Sequence, residues 1–273
     1  MRNLVLSGGG NKGIGFIGCL KALEEFNLLQ NIENFCGTSI GSLICLLILI
    51  GYNYEELNRI LLKFNIIDFL NIDLFNFIDN YSIYSNNKLK KIFNILLSKK
   101  YDIENFTFLK LFNLTQKTLH IISINIEDNK EVVFNYINTP DLLVFDAICA
   151  SCAIPFILPP VKINNKLHID GFLYNNFPCN IFKNDLENTI GIQTKKRDLI
   201  NNITNFQEFI GNIFTCILKK LDSDCDINYK PKLYIYLDEN MGSFDLLEIN
   251  EKKIYIQNSY EICKKNIENY LNN

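Results

Sequence analysis

Cys36-Gly37-Thr38-Ser39-Ile40-Gly41 lies between a short apolar stretch and a helix-like run that ends at Gly51. A serine with a glycine two residues away on each side suits a sharp strand-to-helix turn. The backbones there approach so closely that flanking side chains would clash, and the turn lifts the serine hydroxyl clear of the sheet. Amides at the start of the following helix carry partial positive charge, which favours an oxyanion forming beside that hydroxyl. Gly37 to Gly41 therefore predicts a parallel βαβ unit with a nucleophile for acyl transfer at Ser39.

Working outward, Asn3 to Ser7 reads as a strand, Gly8 to Gly13 as a turn and Ile14 to Leu28 as a helix. Asn34 to Thr38 is a second short strand, and the helix after Ser39 closes at Gly51, a residue suited to a C-cap. Asn53-Tyr54-Glu55-Glu56 has the pattern of a capping box, with Leu57, Ile60, Leu61 and Phe64 on one face of the helix it opens. Ile66 to Ile78 carries Phe69, Leu70, Ile72, Leu74, Phe75 and Phe77, more apolar surface than one helix face hides, so it is either core or a lid that touches lipid.

Helices are expected at Lys88 to Ser98 and Thr107 to Thr115, then a hairpin of Thr118 to Glu127 and Glu131 to Tyr136 turning at Asp128-Asn129. Thr139-Pro140-Asp141 supplies an N-cap and an N1 proline for a helix to Cys149, and Ile154 to Pro160 is extended. Strands at Val161 to Ile163, Leu167 to Asp170, Thr189 to Gln193 and Lys232 to Leu237, with helices at Phe206 to Leu221 and Glu251 to Leu271, complete the chain. The alternation of strand and helix predicts one α/β domain over residues 1–273.

The net charge of −3 and the scattered basic residues leave no electrostatic footprint for nucleic acid. Met1-Arg2-Asn3 runs straight into a strand, the wrong shape for a signal peptide. The apolar run Leu43 to Ile50 is far short of the ~20 residues a transmembrane helix needs. The expected location is the cytoplasm, with the nine cysteines reduced. Cys149-Ala150-Ser151-Cys152 has C-x-x-C spacing but no second pair for zinc, and reads as small buried side chains. With no EF-hand pattern and no histidine-rich cluster, neither a metal nor a cofactor is expected.

Gly8-Gly9-Gly10-Asn11-Lys12-Gly13 offers a run of unhindered amides between a strand and a helix, an anion cradle. It also fits G-x-G-x-x-G, and Glu33 lies about 20 residues on, near where a ribose-binding acid is sought. Glu33, however, precedes the second strand when it should end it, so the oxyanion reading is preferred. Lys12 is either a solvated side chain or a partner for a lipid phosphate.

A serine nucleophile needs a base, and the chain has two histidines, His120 and His168. His120 falls inside an alternating strand, as a core or surface residue would. Asp170-Gly171, at a strand end beside a glycine that permits a turn, is the candidate base. His168 shares a strand face with Asp170 and stays open as a positioning residue or a member of an alternative triad.

With these residues in order, the chain resembles the patatin-like phospholipase family. Gly8 to Gly13 looks like its oxyanion loop, Gly37-Thr38-Ser39-Ile40-Gly41 like its nucleophile elbow, and Asp170-Gly171 like its catalytic D-G-[GA] motif. Ala150-Ser151-Cys152-Ala153-Ile154-Pro155-Phe156 is similar to the block preceding that aspartate. The resemblance spans roughly residues 3–180. It implies a three-layer α/β/α fold with a mostly parallel central sheet flanked by helices, and a Ser39-Asp170 dyad that needs no histidine. It also implies calcium-independent cleavage of fatty acyl esters of phospholipids and neutral lipids, with transient contact at a membrane surface. Phe172 departs from the small residue usual after D-G. Alternatives are an acyltransferase on the same fold, or a catalytically silent module binding a nucleotide or phosphoinositide.

Overall fold

The strands are β1 (Asn3–Leu6), β2 (Asn34–Thr38), β3 (Thr118–Asn125), β4 (Lys130–Phe134), β5 (Val161–Ile163), β6 (Lys166–Asp170), β7 (Thr189–Thr194) and β8 (Leu233–Leu237). They form one eight-stranded sheet along the path β5-β6-β3-β2-β1-β7-β8, with β4 also paired to β3. The β1–β2, β1–β7, β2–β3 and β7–β8 pairs are parallel, while β3–β4, β3–β6 and β5–β6 are antiparallel. The sheet is thus mostly parallel, as expected. The computed structural model describes residues 1–63, 79–85, 87–101, 105–195, 199, 201–204, 206–221, 229–238 and 247–272. The apolar stretch 66–78, expected as core or lid, lies outside the described residues.

Helices α1 (Gly15–Glu25), α2 (Ile40–Leu49), α3 (Tyr54–Lys63), α4 (Asn87–Ser98), α5 (Phe108–Thr115), α6 (Val144–Ser151), α7 (Phe206–Leu221) and α8 (Ile249–Leu271) accompany the sheet. Leu4 and Leu6 of β1 join Ile17 and Leu20 of α1, Ile44 and Leu46 of α2, and Ile256 and Cys263 of α8 in the main core. Val5, which alternates with them, points to the other face with Cys36 and Ile122, and is covered there by Phe177 and Cys179. The third layer is therefore thin on that side among the described residues, built from short helical turns around Cys179–Phe182. The capping box at Asn53 forms, with Glu56 N–H donating to Asn53 Oδ1 and Asn53 N–H to Glu56 Oε2. Gly51 has φ 91°, the left-handed C-cap conformation that glycine adopts without strain.

One expected boundary moves. The helix anticipated after Thr139-Pro140 begins at Val144 instead. The first amides of α5 need acceptors, and Leu109 N–H donates to Pro140 O while Phe108 N–H donates to Leu142 O. Holding those carbonyls outward keeps residues 140–143 out of the helix, so a tertiary demand overrides a local capping signal.

The register of β3 decides where the strand ends meet. Positions 118–122 pair with β2, ending at Thr38 opposite Ile122, and positions 123–125 pair with β6, beginning at Asp170 opposite Ser123. Thr118 N–H donates to Glu33 O and Ile126 N–H to Leu167 O. An even residue offset puts both amides on the same edge of β3. The strand β6 therefore takes over that edge where β2 leaves it.

Candidate active site

Ser39 sits at the turn between β2 and α2 with φ 54° and ψ −128°, a conformation rarely adopted by a residue with a side chain. The close approach that glycine allows is measurable here. A Cβ on Gly41 would lie 2.4 Å from Ser7 O, and one on Gly37 would lie 2.5 Å from the Gly41 carbonyl carbon. Gly41 is therefore needed for the elbow to fold against the end of β1, and Gly37 for α2 to turn back closely over β2.

The Ser39 hydroxyl donates to Asp170 Oδ2 at 2.6 Å. Asp170 is buried, and its other oxygen, Oδ1, accepts the Phe172 N–H at 3.0 Å. Burial pushes the Asp170 carboxyl up from 3.8 to about 7, against the hydrogen bonds from Ser39 and Phe172, which hold it down. A carboxylate so placed exchanges protons near neutrality, as a general base must. The Phe172 side chain, unusual after D-G, packs edge-on against Phe214 of α7 at 5.1 Å while its amide supports the carboxylate.

Gly8 packs beside the elbow: a Cβ there would stand 3.5 Å from Ser39 Cβ. The Gly8 N–H donates to Asn176 O at 3.0 Å, so that amide is engaged within the protein. The Gly8 carbonyl accepts from Ser7 Oγ and from Thr194 Oγ1, both at 2.9 Å. The Gly8–Gly9 peptide is trans, so the Gly9 N–H points the opposite way in the same peptide plane, away from those hydroxyls. Gly10 has φ 56° and opens the 3-10 turn Gly10–Ile14, which includes Asn11. At the end of the loop, a Cβ on Gly13 would meet Ile40 Cγ1 at 2.4 Å, so Gly13 packs flush against α2. Lys12 is not a solvated side chain. That turn buries its side chain, and the ammonium donates to the Lys195 carbonyl.

The turn after Gly171 clasps both neighbouring motifs. Thr38 Oγ1 donates to Asn175 O at 2.7 Å, and Asn176 O receives the Gly8 amide. A backbone stretch a few residues beyond Asp170 thus ties the elbow to the glycine loop.

Both histidines lie elsewhere. His168 packs on the Phe134 ring, and burial holds its imidazole below the ordinary value. Burial pushes His120 down to about 4, and it contacts Asn135 and Phe182. Glu33, weighed as a ribose-binding acid, makes an exposed ion pair with Arg2 at 2.8 Å. The eight cysteines among the described residues are free thiols. Burial and the nearby Asp170 charge push the Cys152 thiol up, which keeps it a neutral neighbour of Ser39.

Sequence reasoning quoted Ser151 inside a motif without giving it a contact. Its hydroxyl accepts the Ser39 N–H at 2.8 Å and donates to Ile122 O at 2.6 Å. The hydroxyls of Ser7 and Thr194 were missed outright. Thr194 carries no local signal, because it acts on a carbonyl 186 residues away that only the fold brings near, while Ser7 grips the carbonyl of its own neighbour Gly8.

The fold and site together define an α/β protein in which a doubly glycine-flanked serine on an elbow is hydrogen-bonded to a buried aspartate beside a glycine loop. The family model of the patatin-like phospholipases matches residues 4–183, and the chain belongs to that family. Among sequence relatives, the probable lipid hydrolase 463L of Invertebrate iridescent virus 6 is 34% identical over 183 residues, covering 66% of this chain and 62% of that protein. Triacylglycerol lipase 4 of Saccharomyces cerevisiae is 31% identical over 177 residues, covering 60% of this chain and 19% of that protein. The chain thus spans less than two thirds of the length of either. The crystal structure of VipD from Legionella pneumophila aligns with a TM-score of 0.68 at 15% identity, over 98% of this chain and 67% of that one, a likeness of fold. No described helix is long and apolar enough to cross a membrane.

Proposed function

We propose that this protein is a lipid acyl hydrolase that cleaves fatty acyl esters of phospholipids or related lipids. The observation that carries the reading is the 2.6 Å hydrogen bond from Ser39 Oγ to Asp170 Oδ2. Ionised Asp170 takes the hydroxyl proton as Oγ attacks the ester carbonyl, and the tetrahedral oxyanion forms beside the glycine loop. Gly8 lends its amide to Asn176 and Lys12 lends its own to the Gly9 carbonyl, so the amides between them, from Gly9 to Asn11, are the ones assigned to that charge.

Collapse of the intermediate expels the alcohol, which receives the proton from Asp170, and leaves the acyl group on Ser39. Water then attacks the acyl-enzyme, gives its proton to Asp170, and the fatty acid departs as that proton returns to Ser39. Neither step calls on a histidine or on calcium, and turnover is expected to persist in a chelator. The substrate reaches the site by transient contact of the protein with a lipid surface.

Fatty-acid release from defined phospholipids and triacylglycerol, compared between wild type and Ser39→Ala, tests the reading. The wild type should release fatty acid and the variant should not, with both folded. Equal release by both rejects the assignment of Ser39, and transfer to an added alcohol in preference to water makes the protein an acyltransferase.

A further inference from the structure

In a parallel ladder each strand residue bonds to the two residues flanking its partner, and the rungs can be counted along β2 and β3. Thr118 N–H bonds Glu33 O, with Thr118 paired to Asn34 and Ile122 to Thr38. Continuing that alternation, the last rung would join the Ser39 N–H to the Ile122 carbonyl. The elbow turns Ser39 out of the strand and breaks it. The Ser151 hydroxyl occupies the gap, accepting from the Ser39 N–H and donating to the Ile122 carbonyl.

A hydroxyl can do both at once because it carries one donor and two acceptor sites. Ser151 is fully buried at the last position of α6, so no bulk water competes for either bond. Two residues later the chain does the same for the other half of the pair, since the Ala153 carbonyl receives the Asp170 N–H at 3.0 Å.

We propose that Ser151 is a positioning residue for the reaction, its hydroxyl replacing the broken rung so that residues 151–153 bracket Ser39 against Asp170. The bracket acts on the nucleophile through its backbone. It holds φ and ψ of Ser39 in their strained values, and those angles aim Oγ at the carboxylate. It also takes the Ser39 amide out of service as an oxyanion donor, which leaves that task to the glycine loop. The inference rests on the hydrolase reading, and the test separates the two.

Full-length wild type, Ser151→Ala and Ser151→Cys are compared by the second-order rate at which a fluorophosphonate labels Ser39, by kcat and KM for a short-chain ester, and by the pH profile of kcat. Ser151→Ala should lose about 30-fold or more in both labelling rate and kcat with KM within twofold. Its acidic limb should move to higher pH, because a looser Ser39 hydroxyl no longer holds the Asp170 carboxyl down. Ser151→Cys, which keeps a side chain of similar size but only a weak donor, should lose several-fold and carries the test if the alanine variant does not fold. Folded variants with wild-type labelling rate, kcat and pH limb overturn the bracket. A wild type that the probe does not label overturns the hydrolase reading itself.

Discussion

Ser39 and Asp170 are 131 residues apart in the chain and 2.6 Å apart in space because consecutive residues of β3 hold their strands. Ile122 pairs with Thr38 and Ser123 pairs with Asp170. The parallel strand β2 and the antiparallel strand β6 thus run toward each other along one edge of β3 and stop where the hydroxyl meets the carboxylate. A one-residue slip of either strand would turn its side chains to the opposite face, so the pairing register specifies the site as firmly as it specifies the core.

The pH dependence of turnover follows from the buried carboxyl. In the proposed mechanism Asp170 has to be ionised to accept the Ser39 proton, and burial pushes its carboxyl up to about 7. The log of kcat/KM should rise with unit slope through the acidic range and level off above about pH 7. A rate profile flat from pH 5 to 8 would count against Asp170 as the base.

The same burial makes Asp170 a cost to folding. A carboxyl raised from 3.8 to about 7 binds its proton more tightly in the native state than in the unfolded chain, so stability falls as pH rises between those values and stays low above them. The shift corresponds to roughly 4 kcal/mol at pH 8. Asp170→Asn removes the charge while an amide oxygen can still accept the Phe172 N–H. It should abolish turnover and raise the melting temperature at pH 8, with the gain shrinking toward pH 4. Thermal unfolding at the two pH values checks this, and a variant less stable than wild type at pH 8 contradicts it.

The parts of the fold legible in sequence were those set by local chemistry. The Gly37 to Gly41 elbow, the Asn53 capping box, the Asp128-Asn129 hairpin and the helix Phe206–Leu221 follow from residue type and spacing alone. Asp170 was legible because a carboxylate beside a glycine at a strand end is a local pattern. Lys12 was not, because its burial depends on Lys195, a residue 183 positions away whose carbonyl accepts its ammonium. The same distance problem hid Thr194, whose acceptor Gly8 lies 186 positions away, and it displaced the start of α6, where α5 claims the carbonyls of residues 140 and 142.

Two glycines separate steric need from backbone strain. An alanine at Gly41 would drive its Cβ to 2.4 Å from Ser7 O and 2.5 Å from Leu6 O, both backbone atoms that cannot rotate away. Gly41→Ala should cost about 3 kcal/mol or more and displace the elbow, abolishing turnover. Gly51 has φ 91° and nothing within 4 Å of its would-be Cβ, so Gly51→Ala should cost only about 1–2 kcal/mol of left-handed strain and leave kcat unchanged. Urea unfolding with ester turnover on both variants decides, and an active Gly41→Ala protein would show that the elbow tolerates a shift away from β1.

In the proposed mechanism Thr194 bears on catalysis from behind the glycine loop. Its Oγ1 and that of Ser7 both donate to the Gly8 carbonyl, and Thr194 N–H donates to Ser7 Oγ at 3.0 Å, so the two side chains form one connected grip. Fixing that carbonyl fixes the Gly9 N–H on the other side of the peptide plane, where the oxyanion is assigned. Thr194→Val keeps the shape and removes one of the two donors. The peptide should then rotate more freely, lowering kcat about tenfold, less than the 10²–10³ typical of deleting an oxyanion donor outright. The substrate KM should hardly change, because a ground-state carbonyl draws little on that amide. Thr194→Ser should restore kcat. A Thr194→Val enzyme with raised KM and normal kcat would instead place Thr194 in substrate binding.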